Sequence, residues 1–268
     1  MSKLISLKES VQLINDGDTV AFGGNVLHRS PNRVAKEISL QGKKNLHLVK
    51  TAVAYEIDLL CAVNALEKVT VGFVGYESEF GLCKNYRNSV ENGSLKVYEN
   101  ACYTIITGLR ASAYGVPFLP VRGLLGSDLI DTVGFKLVKD PYTGEELAAI
   151  KKIRPNIAFI HVQEADIYGN ARIIGPKYED VIIAKASEKV VVTCEKIIDG
   201  DIFLKNPELA DLSSVFVDYV VELPNGAKPG SCPEYYDIDK NEINMFKSTK
   251  AEDMLKYIEK SLEAEYGI

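Results

Sequence analysis

Apolar and polar positions along the chain alternate between two rhythms. Leu7, Val11 and Ile14 recur at helical spacing behind a capping box made by Ser6 and Glu9, and Asp16-Gly17 stops that helix. A short β-prone run follows at Thr19 to Phe22. Further β-branched, apolar runs lie at Asn45 to Val49, Lys68 to Val74, Leu95 to Tyr98, Asn156 to Val162, Ala171 to Ile174, Lys189 to Cys194 and Val215 to Leu223. Helical patterns separate several of them, most clearly Arg33 to Leu40 and Ala101 to Gly115. This alternation predicts an α/β fold, an open and mostly parallel sheet with helices on both faces, in one domain covering residues 1–268. Asp140-Pro141-Tyr142-Thr143-Gly144 reads as a turn within a hairpin-like insertion near 135–150, too short to link independent domains. Near the end, Thr249 with Glu252 predicts a second capping box, ahead of a helix with Met254, Leu255, Ile258 and Leu262 on one face.

The stretch Asn15 to Pro31 carries the most information. The strand ends on Gly23-Gly24, where glycine lets the backbone take positive φ and approach a bound group. Ser30-Pro31 then reads as a helix start, with serine capping the first turn and proline at its first position. Anionic ligands bind at the carboxyl ends of strands in open α/β sheets, beside helix N-termini, so this elbow is a candidate ligand site. A plain strand-to-helix turn would share the same shape.

Composition narrows the function. With 31 basic against 37 acidic residues the net charge is −6, which argues against a protein built to neutralise nucleic-acid phosphates. Cys61, Cys83, Cys102, Cys194 and Cys232 are scattered and odd in number without a CxxC pair, as in a reducing cytoplasm, and they outline no zinc site. No apolar run approaches membrane-spanning length, so neither membrane nor nucleic acid is an expected partner. Phosphate-loop, dinucleotide-fingerprint and GxSxG patterns are absent, and His28, His47 and His161 lack metal-ligand spacing. His161, inside the run Ala158 to Val162, reads as a satisfied core histidine.

Four loops could line a pocket: Gly23-Gly24-Asn25 with Arg29; Gly75 to Gly81, which holds Tyr76 and Ser78; Pro120 to Asp128, which holds Gly126 and Ser127; and Gln163 to Asn170. In this order they resemble the alpha-type half of the family I coenzyme A transferases, with the glutaconate-type alpha subunits as the nearest likeness. The carriers are Asp16-Gly17 through Gly23-Gly24 to Pro31; Gly115 to Pro120; Gly126-Ser127; Ala165 to Asn170 with Arg172; Val192 to Glu195; and Leu223 to Pro229, followed by Cys232 and Tyr235-Tyr236-Asp237. The likeness covers nearly the whole chain. Asn25 departs from the pattern, since family members often carry Phe after the glycine pair.

The resemblance implies a NagB/RpiA/CoA-transferase-like fold and a place in a heteromeric, cytoplasmic enzyme. No cofactor is bound permanently, coenzyme A is a substrate, and a beta-type partner supplies the nucleophilic glutamate. That carboxylate attacks an acyl-CoA thioester to give an acyl-glutamyl anhydride and CoA thiolate. The thiolate then forms an enzyme–CoA thioester, and an acceptor carboxylic acid closes the cycle. Under this reading Gly23, Gly24, Asn25, Gly126 and Ser127 line the cleft facing the partner, while Arg29, Tyr76 and Ser78 contact the acyl carboxylate or CoA. Glu91-Asn92-Gly93 imitates the nucleophile's setting, but it closes a polar helical stretch in which Gly93 acts as a left-handed cap and Glu91 faces water. Two other readings stay open. One is a ring-opening hydrolase of the same superfamily, using Glu77 or Glu79 as acid; the other is a non-enzymatic CoA or sugar-phosphate sensor.

Overall fold

The computed structural model describes residues 2–266. Eleven strands occur among them: β1 (Thr19–Phe22), β2 (Leu46–Val53), β3 (Leu66–Val74), β4 (Lys96–Glu99), β5 (Phe118–Val121), β6 (Lys136–Lys139), β7 (Glu146–Lys151), β8 (Ile157–Ala165), β9 (Ala171–Arg172), β10 (Lys189–Ile197) and β11 (Tyr219–Glu222). The main sheet has the order β11-β10-β8-β1-β2-β3-β4, all parallel, with β9 antiparallel on β8. β5, β7 and β6 form a separate antiparallel sheet.

Side chains on successive residues of the buried strands leave opposite faces of the main sheet. Val20 and Phe22 of β1 and Ile157 and Phe159 of β8 enter one core, while Ala21, Ala158 and Ile160 enter the other. Helices Leu7–Gln12, Asn32–Leu40 and Tyr55–Ala62 and the carboxyl-terminal helices cover the first core; Cys102–Ala113 and Asp180–Ala186 cover the second. Phe22 and Phe159 meet edge to face across the β1–β8 pair, with centroids 6.2 Å apart. The alternating apolar pattern of the sequence is thus a two-faced α/β sheet.

Chain order reverses direction at β1 and β8. From β1 the chain adds β2, β3 and β4 on one side; β8, β10 and β11 occupy the other. A crevice opens at such a switch point, outside the carboxyl ends of the strands, and there the Gly23 N–H donates to Phe159 O at 2.9 Å.

Three local expectations change. Ser30 does not cap the helix after β1: the helix starts at Asn32 with Pro31 at the cap, and the Ser30 hydroxyl donates to Val26 O and accepts from Lys50 Nζ instead. Thr249 caps nothing either, since its hydroxyl donates back to Met245 O and the next helical turn begins after Lys250. The run Val215 to Leu223 splits into a 3-10 turn and β11, because Val215 is exposed and the Asp218 carboxylate accepts from Val190 N–H where the strand would begin. The Ser6–Glu9 capping box is present, and residues 140–145 turn β6 into β7. That hairpin does not stand alone: β5 pairs with β7 and completes the second sheet.

Candidate active site

The elbow after β1 is a tight loop held from three sides. Asn25 and His28 exchange backbone hydrogen bonds at 2.9 and 2.8 Å, and the Val26 N–H reaches Ala52 O at the end of β2. Gly24, Val26 and Arg29 take φ of +70°, +47° and +53°. A β-branched residue there costs on the order of 1–3 kcal/mol, and such strain persists only where surrounding structure over-determines it.

Asp180 supplies much of that determination. Its Oδ1 accepts the Gly24 N–H at 2.7 Å, and its Oδ2 pairs with Arg29 Nη2 at 2.6 Å. Gly23 must be glycine for the same reason: a Cβ there would lie 2.4 Å from Asp180 Oδ1. Arg29 also donates to the carbonyls of His161 and Pro176. Both partners are fully buried; burial pushes the Asp180 carboxyl up, and Arg29 and the Gly24 amide pull against it. Behind the loop, the motif after Leu223 forms a brace. Arg29 N–H donates to Ser231 O, Ser231 N–H to Leu27 O, and Arg33 N–H to Gly226 O.

Below the brace, His161 is buried with Nδ1 2.9 Å from Thr193 Oγ1 and Nε2 2.7 Å from Glu195 Oε1. Glu195 also accepts from Tyr236 and from Asn225 N–H. Burial alone would raise the Glu195 carboxyl, but these donors outweigh it and hold it below the usual range. Cys232 completes a trio whose ligand atoms lie within 4.8 Å of one another, a spacing that could hold a metal ion. The donor set does not favour one: both imidazole nitrogens are already engaged, and burial pushes the Cys232 thiol up to about 12, so it stays protonated.

The sequence-predicted site residues separate into three groups. Gly23, Gly24, Asn25 and Arg29 meet at the elbow. Their polar groups are largely spoken for: the Gly24 amide by Asp180, the Asn25 amide by His28 O, the Arg29 guanidinium by Asp180 and two carbonyls. Tyr76 and Ser78 follow β3, two strands away. Tyr76 is buried with its hydroxyl donating to Asp58 Oδ2 at 3.2 Å and Lys247 over its ring, and Ser78 is exposed. Gly126 and Ser127 are not brought to the elbow; after β5 the chain runs in the second sheet, and both lie in an exposed or half-buried turn there. Glu77 and Glu79 are exposed, the latter paired with Lys240, and Glu91 is exposed and paired with Arg87 one turn back. Gly93 takes φ +76° just past that helix, as its capping role requires.

What the sequence does not announce is the neighbourhood of Asp180. Glu179 sits half-buried beside it, and burial pushes its carboxyl up. The Thr51 hydroxyl, buried and otherwise without a partner, pulls that carboxyl the other way. Tyr178 lies over the Arg29 guanidinium at 5.5 Å. A buried arginine next to a glycine pair demands a buried acid, and Tyr178-Glu179-Asp180 at a helix start was the available signal. The mouth of the crevice therefore carries one protonatable acid, one buried hydroxyl and the Asn25 carboxamide.

Comparison with known proteins agrees with this geometry. The sequence profile of the family described as Coenzyme A transferase matches residues 4–223. A protein of Archaeoglobus fulgidus is 34% identical across 99% of this chain, which spans 60% of that relative's length. The A subunit of 3-oxoadipate CoA-transferase from Pseudomonas knackmussii is 34% identical over 89% of this chain and 85% of its own. The crystal structure of glutaconate coenzyme A-transferase from Acidaminococcus fermentans superposes with a TM-score of 0.90 at 28% identity, covering 97% of this chain and 88% of that one.

Proposed function

This chain belongs to the coenzyme A transferase family, and from that premise we propose that it is the alpha-type subunit of a heteromeric enzyme that moves CoA from an acyl-CoA to a carboxylic acid. The observation that carries the reading is the elbow at the switch point. It is rigid, strained and braced, yet the Asp180 carboxylate at its centre is fully engaged by Arg29 and Gly24. An engaged, buried carboxylate is no nucleophile, so the attacking acid comes from a beta-type partner seated against the crevice.

In that cycle the partner's carboxylate opens the thioester, and this chain contributes walls and donors. A carboxylate is a weak nucleophile, and its anhydride must be kept from water until CoA thiolate returns. The elbow backbone is held so tightly that it cannot reorganise as charge develops, which is the condition for effective oxyanion stabilisation. We assign the donor role to the Asn25 carboxamide rather than to the Gly24 and Asn25 amides, which have partners already, and place the Thr51 hydroxyl on the Glu179 carboxyl. Arg29 acts by fixing the elbow. Ser78, Gly126 and Ser127, on loops that reach the surface, are assigned to the seam with the partner. The acyl group is a short one, glutaconate-like or related. Five free thiols fit a reducing compartment, and no helix among the described residues is long and apolar enough to cross a membrane.

The test is activity by composition. Purified alone, the chain turns over no acyl-CoA with any acceptor acid; co-expressed with its beta-type partner it does. Turnover by the isolated chain contradicts the two-subunit reading, and turnover by the pair without an acceptor acid assigns it to hydrolysis instead.

A further inference from the structure

On the face of the main sheet beside β2, β3 and β4, the main sheet and the second sheet do not close on one another. Between them lies a cleft of about 560 Å³, within the range of small-molecule sites. One wall is the face of β2, β3 and β4 that carries His47, Thr70 and Tyr98. Thr70 stands beside Tyr98 in register, and His47 Nε2 lies 2.8 Å from Thr70 Oγ1. The other wall is the β6–β7 hairpin. Lys136 is directly opposite Ala149, and Lys151 follows two residues on, so all three project from one face and the small Ala149 leaves room between the two ammonium groups.

The charge here runs against the composition of the chain. The chain has 37 acidic residues against 31 basic, yet the lining holds Lys68, Lys136, Lys151 and Lys152 and no carboxylate, and the exposed Lys136 and Lys151 make no ion pair among the described residues. Lys68, paired with Glu67 at 3.0 Å, adds a further ammonium on the strand wall. Burial, then the charge of Lys68, pushes the His47 imidazole down to about 4, so at neutral pH it offers a flat uncharged ring, 6.0 Å from that of Tyr98. The cleft thus pairs two tilted aromatic rings on one wall, where Lys96 Nζ lies 4.9 Å from the Tyr98 centroid, with unpaired cations on the other.

We infer that this cleft binds a nucleotide-sized phosphorylated anion, its phosphates on Lys136 and Lys151 and its flat base against Tyr98 and His47. The site is separate from the elbow. His47 opens β2 and Val53 closes it beside Val26, which puts roughly 20 Å of extended strand between them. Two sources share the required chemistry: the nucleotide half of coenzyme A, and a free nucleotide acting as an effector. The coenzyme A source rests on the proposed reaction; the free-nucleotide source does not.

Calorimetric titration of the chain in complex with its partner, using adenosine 3′,5′-bisphosphate as probe, tests it. We expect saturable binding at one site per chain, at least tenfold weaker with inorganic pyrophosphate or adenosine alone. K136E/K151E should weaken it at least tenfold with an unchanged melting temperature, and the charge-matched surface variant K8E/K256E should leave it within twofold. A tenfold rise in KM for acyl-CoA in K136E/K151E, with kcat kept, identifies coenzyme A as the source; unchanged kinetics with binding lost identifies a free nucleotide. The inference is overturned if no saturable binding occurs at millimolar probe, if adenosine binds as well as the bisphosphate, or if the two double variants weaken binding alike.

Discussion

Asp180 decides what each residue of the elbow can do. Replacing it with Asn strands the buried Arg29 guanidinium, and removing one partner of such a pair costs about 3–5 kcal/mol. Gly23→Ala should cost about 1–3 kcal/mol, since its methyl would collide with the same carboxylate. Urea unfolding of the single and double variants checks both values. Because the two changes strike one contact, the double variant should lose less than the sum. The sequence made Arg29 look like a ligand contact because nothing local reveals that an acid 151 residues later arrives to neutralise it. His47 yields a pH prediction. Its folded pKa, about 4, lies below the ordinary 6.5, so the unfolded chain binds more protons between those values. Stability should therefore fall as pH drops from about 6.5 towards 4, and His47→Asn should flatten that slope in melts recorded across the range.

Element boundaries were legible where a pattern repeats and obscure where one contact sets them. The eight apolar runs each contain strand, because the alternation between two cores is a property of every buried position. β5, β6 and β7 escaped that signal, being short, with β5 and β6 mostly exposed and β7 burying only Ala148 and Ile150, and the β6–β7 pair was visible only through the Asp140–Gly144 turn. Caps show the same limit. Thr249 has the composition of a cap without the role, whereas Asp239 accepts from Glu242 N–H at 2.9 Å at the start of Lys240–Ser248. Thermal or urea unfolding should therefore give about 1 kcal/mol of destabilisation for Asp239→Ala and less than about 0.5 kcal/mol for Thr249→Ala. Equal losses would restore Thr249 as a cap.

Over the whole molecule, the order of strands turns local motifs into a site. The glycine pair, the Tyr178-Glu179-Asp180 step and the brace after Leu223 are far apart in sequence and converge only because β1 and β8 are neighbours at the point where chain order reverses. The ordered motifs identified the family; the partners of Arg29 and the Glu179–Thr51 pair needed the fold. The central claim is that this chain shapes a thioester-exchange crevice and leaves the nucleophile to its partner. Incubating the two-subunit complex with acyl-CoA and hydroxylamine, then mapping hydroxamate by peptide mass spectrometry, tests it most directly. The expected result is modification of one glutamate on the beta-type partner, with none on this chain and with Glu91→Gln retaining full activity. Label on Glu91, Glu179 or any other carboxylate of this chain would contradict it.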